Sequence, residues 1–138
     1  MVWDTDVSLK FYRDLLGMRV AGESENYGTE QEHLNNVFGA HLRITALRGN
    51  TGPGIELLEY LAPRDGRPFP ADERANDLVH RHTILLTADA AGAARQLGAG
   101  RASFVSSGLI ANPTQQLEFR KAFLVRDPDG HAVEMKQQ

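Results

Sequence analysis

The stretch Val125-Arg126-Asp127-Pro128-Asp129-Gly130-His131-Ala132-Val133-Glu134-Met135 decides how the rest of the chain is read. Phe119 to Arg126 and His131 to Lys136 are rich in apolar residues, and the Asp127-Pro128-Asp129-Gly130 between them has the Pro and Gly of a tight reversal. This is a β-hairpin. A second hairpin of the same build lies upstream. His41 to Leu47 alternates polar and apolar residues with a period of two, Asn50-Thr51-Gly52-Pro53-Gly54 turns the chain, and Ile55 to Leu61 returns. Arg48 precedes Glu56 by the same interval that separates Arg126 from Glu134, so the two hairpins share a register.

The repeat extends outward from the hairpins. Asp4 caps a helix in which Val7, Phe11 and Leu15 recur every four positions, joined by Tyr12 and Leu16, and Gly17 ends it. Asp89 caps a short Ala-rich helix that ends at Leu97-Gly98. A strand follows each helix, at Met18 to Gly22 and at Arg101 to Ser106, and a strand at Val79 to Ala88 leads into the second helix. The first half keeps only the last two or three residues of such a leading strand. The polar stretch 23–36 has little periodicity, with a short helix expected at Glu30 to Phe38. The expected fold is therefore α+β, with tandem βαβββ modules, the first strand of the first module being truncated or missing. Residues 1–61 form the first module, 62–78 a Pro-rich linker and 79–138 the second module.

Composition narrows the function. The chain has 138 residues, 15 Lys+Arg against 18 Asp+Glu, and no Cys, so disulfide scaffolds, thiolate metal sites and cysteine nucleophiles are excluded. Folding at this size buries roughly 68% of the surface that the unfolded chain exposes. A net charge of −3, with the basic residues scattered among acids, disfavours nucleic acid. No run approaches the ~20 apolar residues that span a bilayer, and no charged-then-apolar leader is present, so a cytoplasmic protein without a membrane partner is expected.

Strand alternation predicts which side chains face a ligand. A four-residue loop at 127–130 would set Arg126 opposite His131, Leu124 opposite Val133 and Phe123 opposite Glu134. Ala122, Leu124, Val133 and Met135 would then pack on the helices. Phe119, Lys121, Phe123 and Glu134 would share the other face, a mix of aromatic and ionisable groups suited to a concave site. The repeat register places His41, Arg43, Thr45 and Glu56 in the equivalent positions. An enclosed carboxylate is costly unless it is paired, coordinates a cation or takes up a proton. The alternative for Glu56 and Glu134 is a solvated face, with salt bridges to Arg43 or Lys121.

Two motifs, Val2-x-Asp4-x-x-x-Ser8-Leu9-Lys10-Phe11-Tyr12-Arg13-Asp14-Leu15-Leu16-Gly17 and the terminal hairpin, resemble the vicinal oxygen chelate superfamily, the glyoxalase, bleomycin resistance and extradiol dioxygenase group. The resemblance covers nearly the whole chain and identifies the superfamily better than any one of its activities. It implies a curved mixed sheet around a U-shaped cleft in which Glu56 and Glu134 face each other. Many members hold one divalent metal there, with His from each first strand and often Glu from each last strand. In that pattern the ligand His stands seven residues before the capping Asp, which selects His82 over His80, its neighbour on the same face. The same spacing counted back from Asp4 falls before Met1, so a usual ligand is missing.

His82, Glu56 and Glu134 could supply the three protein ligands of an open catalytic site, and His41 could complete it. Such a nitrogen and oxygen set suits Zn, Fe, Mn, Ni or Co. The metal would act as a Lewis acid toward an enolate or catecholate oxygen, with Glu56 or Glu134 as a candidate base. His41, Arg43, His80, Phe119, Lys121 and Phe123 are the candidate substrate-binding residues. The resemblance thus implies a metal-dependent lyase, isomerase or dioxygenase of the glyoxalase type acting on a small oxygen-bearing molecule. A metal-free protein that sequesters a small molecule is the other expectation. A homodimer is expected in either case, because the incomplete first sheet leaves an edge that a second subunit could cover.

Overall fold

The computed structural model describes residues 1–113 and 117–138, so part of the 107–116 segment expected to shape a pocket lies outside the described residues. Strands dominate a mixed α+β architecture that divides into two units, Met1–Pro68 and Phe69–Gln138. The division falls inside the Pro-rich run.

In the first unit the opening helix α1 spans Thr5–Leu9 and continues as a wider π-helical segment, Lys10–Leu15. Asp4 caps it, its side chain accepting from the amides of Asp6 and Val7. The widening is visible where the Leu16 amide donates to the Phe11 carbonyl, five residues back. An extra residue in the turn rotates the apolar stripe. Thr5, Ser8, Leu9, Phe11 and Tyr12 are buried, while Val7, expected in the stripe with Phe11 and Leu15, is exposed. Gly17, at φ +73°, makes the left-handed exit.

Three antiparallel strands follow in spatial order β1-β2-β3: β1 (Arg19–Tyr27), β2 (His41–Arg48) and β3 (Ile55–Ala62). The strand expected at Met18 to Gly22 runs on through the polar stretch, where Glu23 and Glu25 pair with Thr45 and Arg43 of β2. Helix α2 (Thr29–Asn35) occupies the rest of that insert. Thr45, Leu47 and Leu57 form the buried inner row of the sheet, and α1 packs against β3.

The second unit contains β4 (His82–Leu86), α3 (Ala90–Ala99), β5 (Ser103–Phe104), β6 (Ile110–Ala111), β7 (Lys121–Arg126) and β8 (Ala132–Gln137). The order is β4-β8-β7-β5, with β4 parallel to β8 and the other pairs antiparallel. Phe123, Val125, Val133 and Met135 form its buried row, and α3 packs on β7 and β8.

The repeat is visible atom by atom. The Val2 amide donates to the Leu58 carbonyl at 2.9 Å, and its counterpart Thr87 donates to Lys136 at 2.9 Å. The Thr5 amide donates to Glu59 Oε2 at 3.0 Å, and the Ala90 amide donates to Gln137 Oε1 at 3.2 Å. In each unit a side chain from the last strand thus satisfies an otherwise orphaned amide at the helix start. At the place of the leading strand the first unit has one parallel bridge, Val2 to Glu59.

Candidate functional site

The terminal hairpin fixes which side chains share a face, and its register differs by one residue from the expectation. The turn is wider than four residues. The Asp127 amide donates to the His131 carbonyl, and the Asp127 side chain accepts from the amides of Asp129 and His131. Gly130 adopts φ +94°, where a Cβ would also stand 3.4 Å from Phe69. The closing pair is therefore Arg126 with Ala132, followed by Val125 with Val133, Leu124 with Glu134 and Phe123 with Met135.

A one-residue change exchanges the two faces of a strand. Phe123, expected beside Glu134, is a core residue only 2% exposed. Lys121 pairs with Gln137, on the opposite face from Glu134. Leu124 moves the other way, from the helix-facing set to the face of Glu134. The same change holds in the first unit, where Glu56 stands opposite Ala46 rather than on the face of Thr45, which pairs with Leu57. Arg43 and Thr45 therefore do not share a face with Glu56. Thr45 is fully buried and donates to Glu23, and Arg43 bonds Asp6 at 3.1 Å and Glu23 at 3.0 Å. Glu23 chiefly, with Asp6, holds the Arg43 guanidinium above its ordinary pKa. His41 is paired with Glu25 at 2.8 Å and lies edge-on to Tyr27. Glu56 itself is exposed.

The second unit does bring His82 and Glu134 together. In the parallel pairing of β4 with β8, His82 lies beside Ala132, Ile84 beside Glu134 and Leu86 beside Lys136, so these side chains share a face. His82 Nε2 stands 3.2 Å from Glu134 Oε2, and Lys136 Nζ stands 3.8 Å from Glu134 Oε1. Lys136 also lies 5.8 Å from the centroid of the Phe119 ring, which places that candidate next to the group. Ile84 and Leu86 are 47% and 62% exposed, an apolar flank to the ionisable centre.

His80 is engaged differently. Its Nδ1 bonds Glu73 Oε1, and its ring centroid is 5.6 Å from that of His82. Glu73 comes from the Pro-rich run expected to be only a connection, and its side chain is 1% exposed. Arg126 Nη2 donates to Glu73 Oε2 at 2.7 Å, and Nη1 donates to the Gly130 carbonyl. The Arg126 bond chiefly, and then that of His80, hold the Glu73 carboxyl below its ordinary pKa against the opposing effect of burial. Sequence reading missed Glu73, which no periodicity marks.

A metal ion can be tested against these residues. Two ligands bonded at about 2.1 Å and set at roughly 90–110° about one ion stand about 3.0–3.4 Å apart. The His82–Glu134 separation fits that range, and the pair offers the nitrogen and oxygen donors that divalent first-row metals accept. Among the described residues no group of three or more His, Asp or Glu side chains is gathered for a metal. No helix among them is long and apolar enough to cross a membrane.

Known structures carry the same fold. A glyoxalase family protein from Bacillus cereus aligns with a TM-score of 0.76 at 18% identity, over 99% of this chain and 87% of that one. The trypanothione-dependent glyoxalase I of Leishmania major gives 0.59 at 18% identity, over 99% and 80%. An antibiotic binding protein from a Streptomyces species gives 0.56 at 17% identity, over 99% and 88%. No curated protein matches the chain. The sequence model of one family, however, matches residues 1–135, nearly the whole length. Together with the duplicated hairpins and helix starts, that match makes the chain a member of the glyoxalase/bleomycin resistance protein/dioxygenase superfamily.

Proposed function

We propose that this chain is a divalent-metal-dependent enzyme acting on a small oxygen-bearing molecule, with His82 and Glu134 as metal ligands in the second unit. The observation that carries the reading is the 3.2 Å separation of His82 Nε2 and Glu134 Oε2, the spacing of two neighbouring ligands of one ion. A bound ion would supply Lewis acidity to an oxygen of the substrate. Glu134 is the base, its half-buried carboxylate able to take a proton next to that oxygen, and Lys136 offsets its charge. Ile84 and Leu86 receive the apolar part of the substrate. Glu56, the exposed counterpart of Glu134 in the first unit, is the alternative candidate for the base. The protein acts as a cytoplasmic homodimer on this reading, and sedimentation equilibrium tests the association.

A second reading, metal-free sequestration of a small molecule, is favoured by Lys136, which already balances Glu134 without an ion. An antibiotic binding protein among the structural neighbours supports it. Metal analysis of protein purified without an affinity tag separates the two. Stoichiometric Zn, Fe, Mn, Ni or Co that is lost in His82→Ala supports the enzyme; protein that takes up none is a binder.

A further inference from the structure

The group formed by Glu73, His80 and Arg126 has no part in the reading above, yet it contains a buried carboxylate, and such groups are costly unless fully paired. Glu73 is paired by Arg126 Nη2 at 2.7 Å and by His80 Nδ1. Arg126 also donates to the Glu73 and Gly130 carbonyls. A second anchor holds the same segment, where the Phe69 ring meets His131 edge-on at 5.3 Å and His131 Nδ1 lies 3.0 Å from Asp127 Oδ2. The segment from Phe69 to His80 is thereby fastened to the β7–β8 turn.

This fastening sets the chemistry of His80. An ionised carboxylate only accepts hydrogen bonds, so the ring nitrogen facing Glu73 must carry the proton. In the neutral ring the other nitrogen, Nε2, is then an acceptor, and it has no protein partner among the described residues. The His80 side chain keeps 17% of its surface exposed and its ring lies 5.6 Å from that of His82. An acceptor thus stands next to His82, whose side chain shares a face with Glu134 and the exposed Ile84.

We infer that His80 is a further ligand-binding residue, held by Glu73 as the Nδ1-protonated tautomer, whose Nε2 accepts a hydrogen bond from the hydroxyl of a phenol or enol with an apolar body. The inference rests on the reading that the β4/β8 face binds a small molecule. Glu73 and Arg126 are positioning residues on this account, acting through His80.

The test uses the full chain labelled with ¹⁵N at histidine. Long-range ¹H–¹⁵N correlation should show neutral His80 protonated at Nδ1, and Glu73→Ala should return it to the Nε2-protonated form that imidazole favours in water. A wild-type His80 protonated at Nε2 overturns the inference without the need for any variant. Equilibrium dialysis at pH 7 then compares 4-chlorophenol, which keeps its proton at that pH, with 4-chloroanisole, which lacks the donor. Wild type should hold the phenol at least tenfold more tightly, and His80→Phe should cut that advantage below threefold. Equal binding of the two probes overturns the assignment to His80 alone. Failure of wild type to hold either probe, with the tautomer as expected, overturns both the hydroxyl contact and the small-molecule reading of this face.

Discussion

The two units solve one problem, how to start a helix against the end of a sheet, with different residues. In the second unit a five-residue strand, β4, runs parallel to β8 before Asp89 caps α3. The first unit has a single bridge at Val2, yet Asp4, the Val2 amide and the last strand make the same three contacts. The junction forms on a single bridge in one unit and on a strand of five residues in the other. Both units use the amide at the end of that bridge or strand and a side-chain acceptor on the neighbouring strand. That acceptor is Glu59 in one unit and Gln137 in the other. The acid brings a charge to a site that is 6% exposed, and Arg64 answers it at 3.3 Å.

Substitutions at the junctions break or sharpen this parallel. The largest effect is expected from Glu59→Ala, which strands the Thr5 amide and should destabilise the first unit by about 1–3 kcal/mol. Glu59→Gln copies the second unit and should cost less than ~1 kcal/mol. Denaturant titration gives both values, and a Gln variant as damaging as Ala would show that the charge, not the acceptor, matters. Next comes Val2→Pro, which removes the donor to Leu58 and should cost about 1 kcal/mol. Hydrogen exchange should localise that loss to β3 and α1 and leave β7 and β8 unchanged.

The last comparison is of pH dependence and concerns Glu73, a buried carboxylate of the second unit paired with Arg126, as Glu59 is with Arg64 in the first. Its folded pKa is lowered, chiefly by Arg126, so the unfolded state binds more protons between that value and the ordinary carboxylate range. The stabilisation is complete above this range and is lost as pH falls through the folded value. Denaturation midpoints measured from neutral to acid pH should decline in the wild type and decline less in Glu73→Gln.

Much of this was legible in the sequence, for reasons that are local. Asp4 and Asp89 announced the helix starts, and period-two alternation announced β2, because both signals lie within a few consecutive residues. The spacing of His82 from Asp89 and the place of Glu134 in the hairpin brought those two to one face. The face partners of Glu134 could not be counted correctly, because the width of the 127–131 turn depends on the Asp127 side chain bonding two amides. Phe123 and Lys121 were displaced by that one residue. Glu73 was invisible for a different reason. Its partners, His80 and Arg126, are remote or aperiodic in sequence, and only folding brings a carboxylate from a Pro-rich run under a hairpin.

Strand β1 lies at the margin of its sheet with all nine residues exposed. It is protected from recruiting a neighbouring molecule by an irregularity between Val20 and Gly22 and by the charges of Arg19, Glu23 and Glu25. Removing these safeguards together should raise the tendency of this edge to pair with a second molecule.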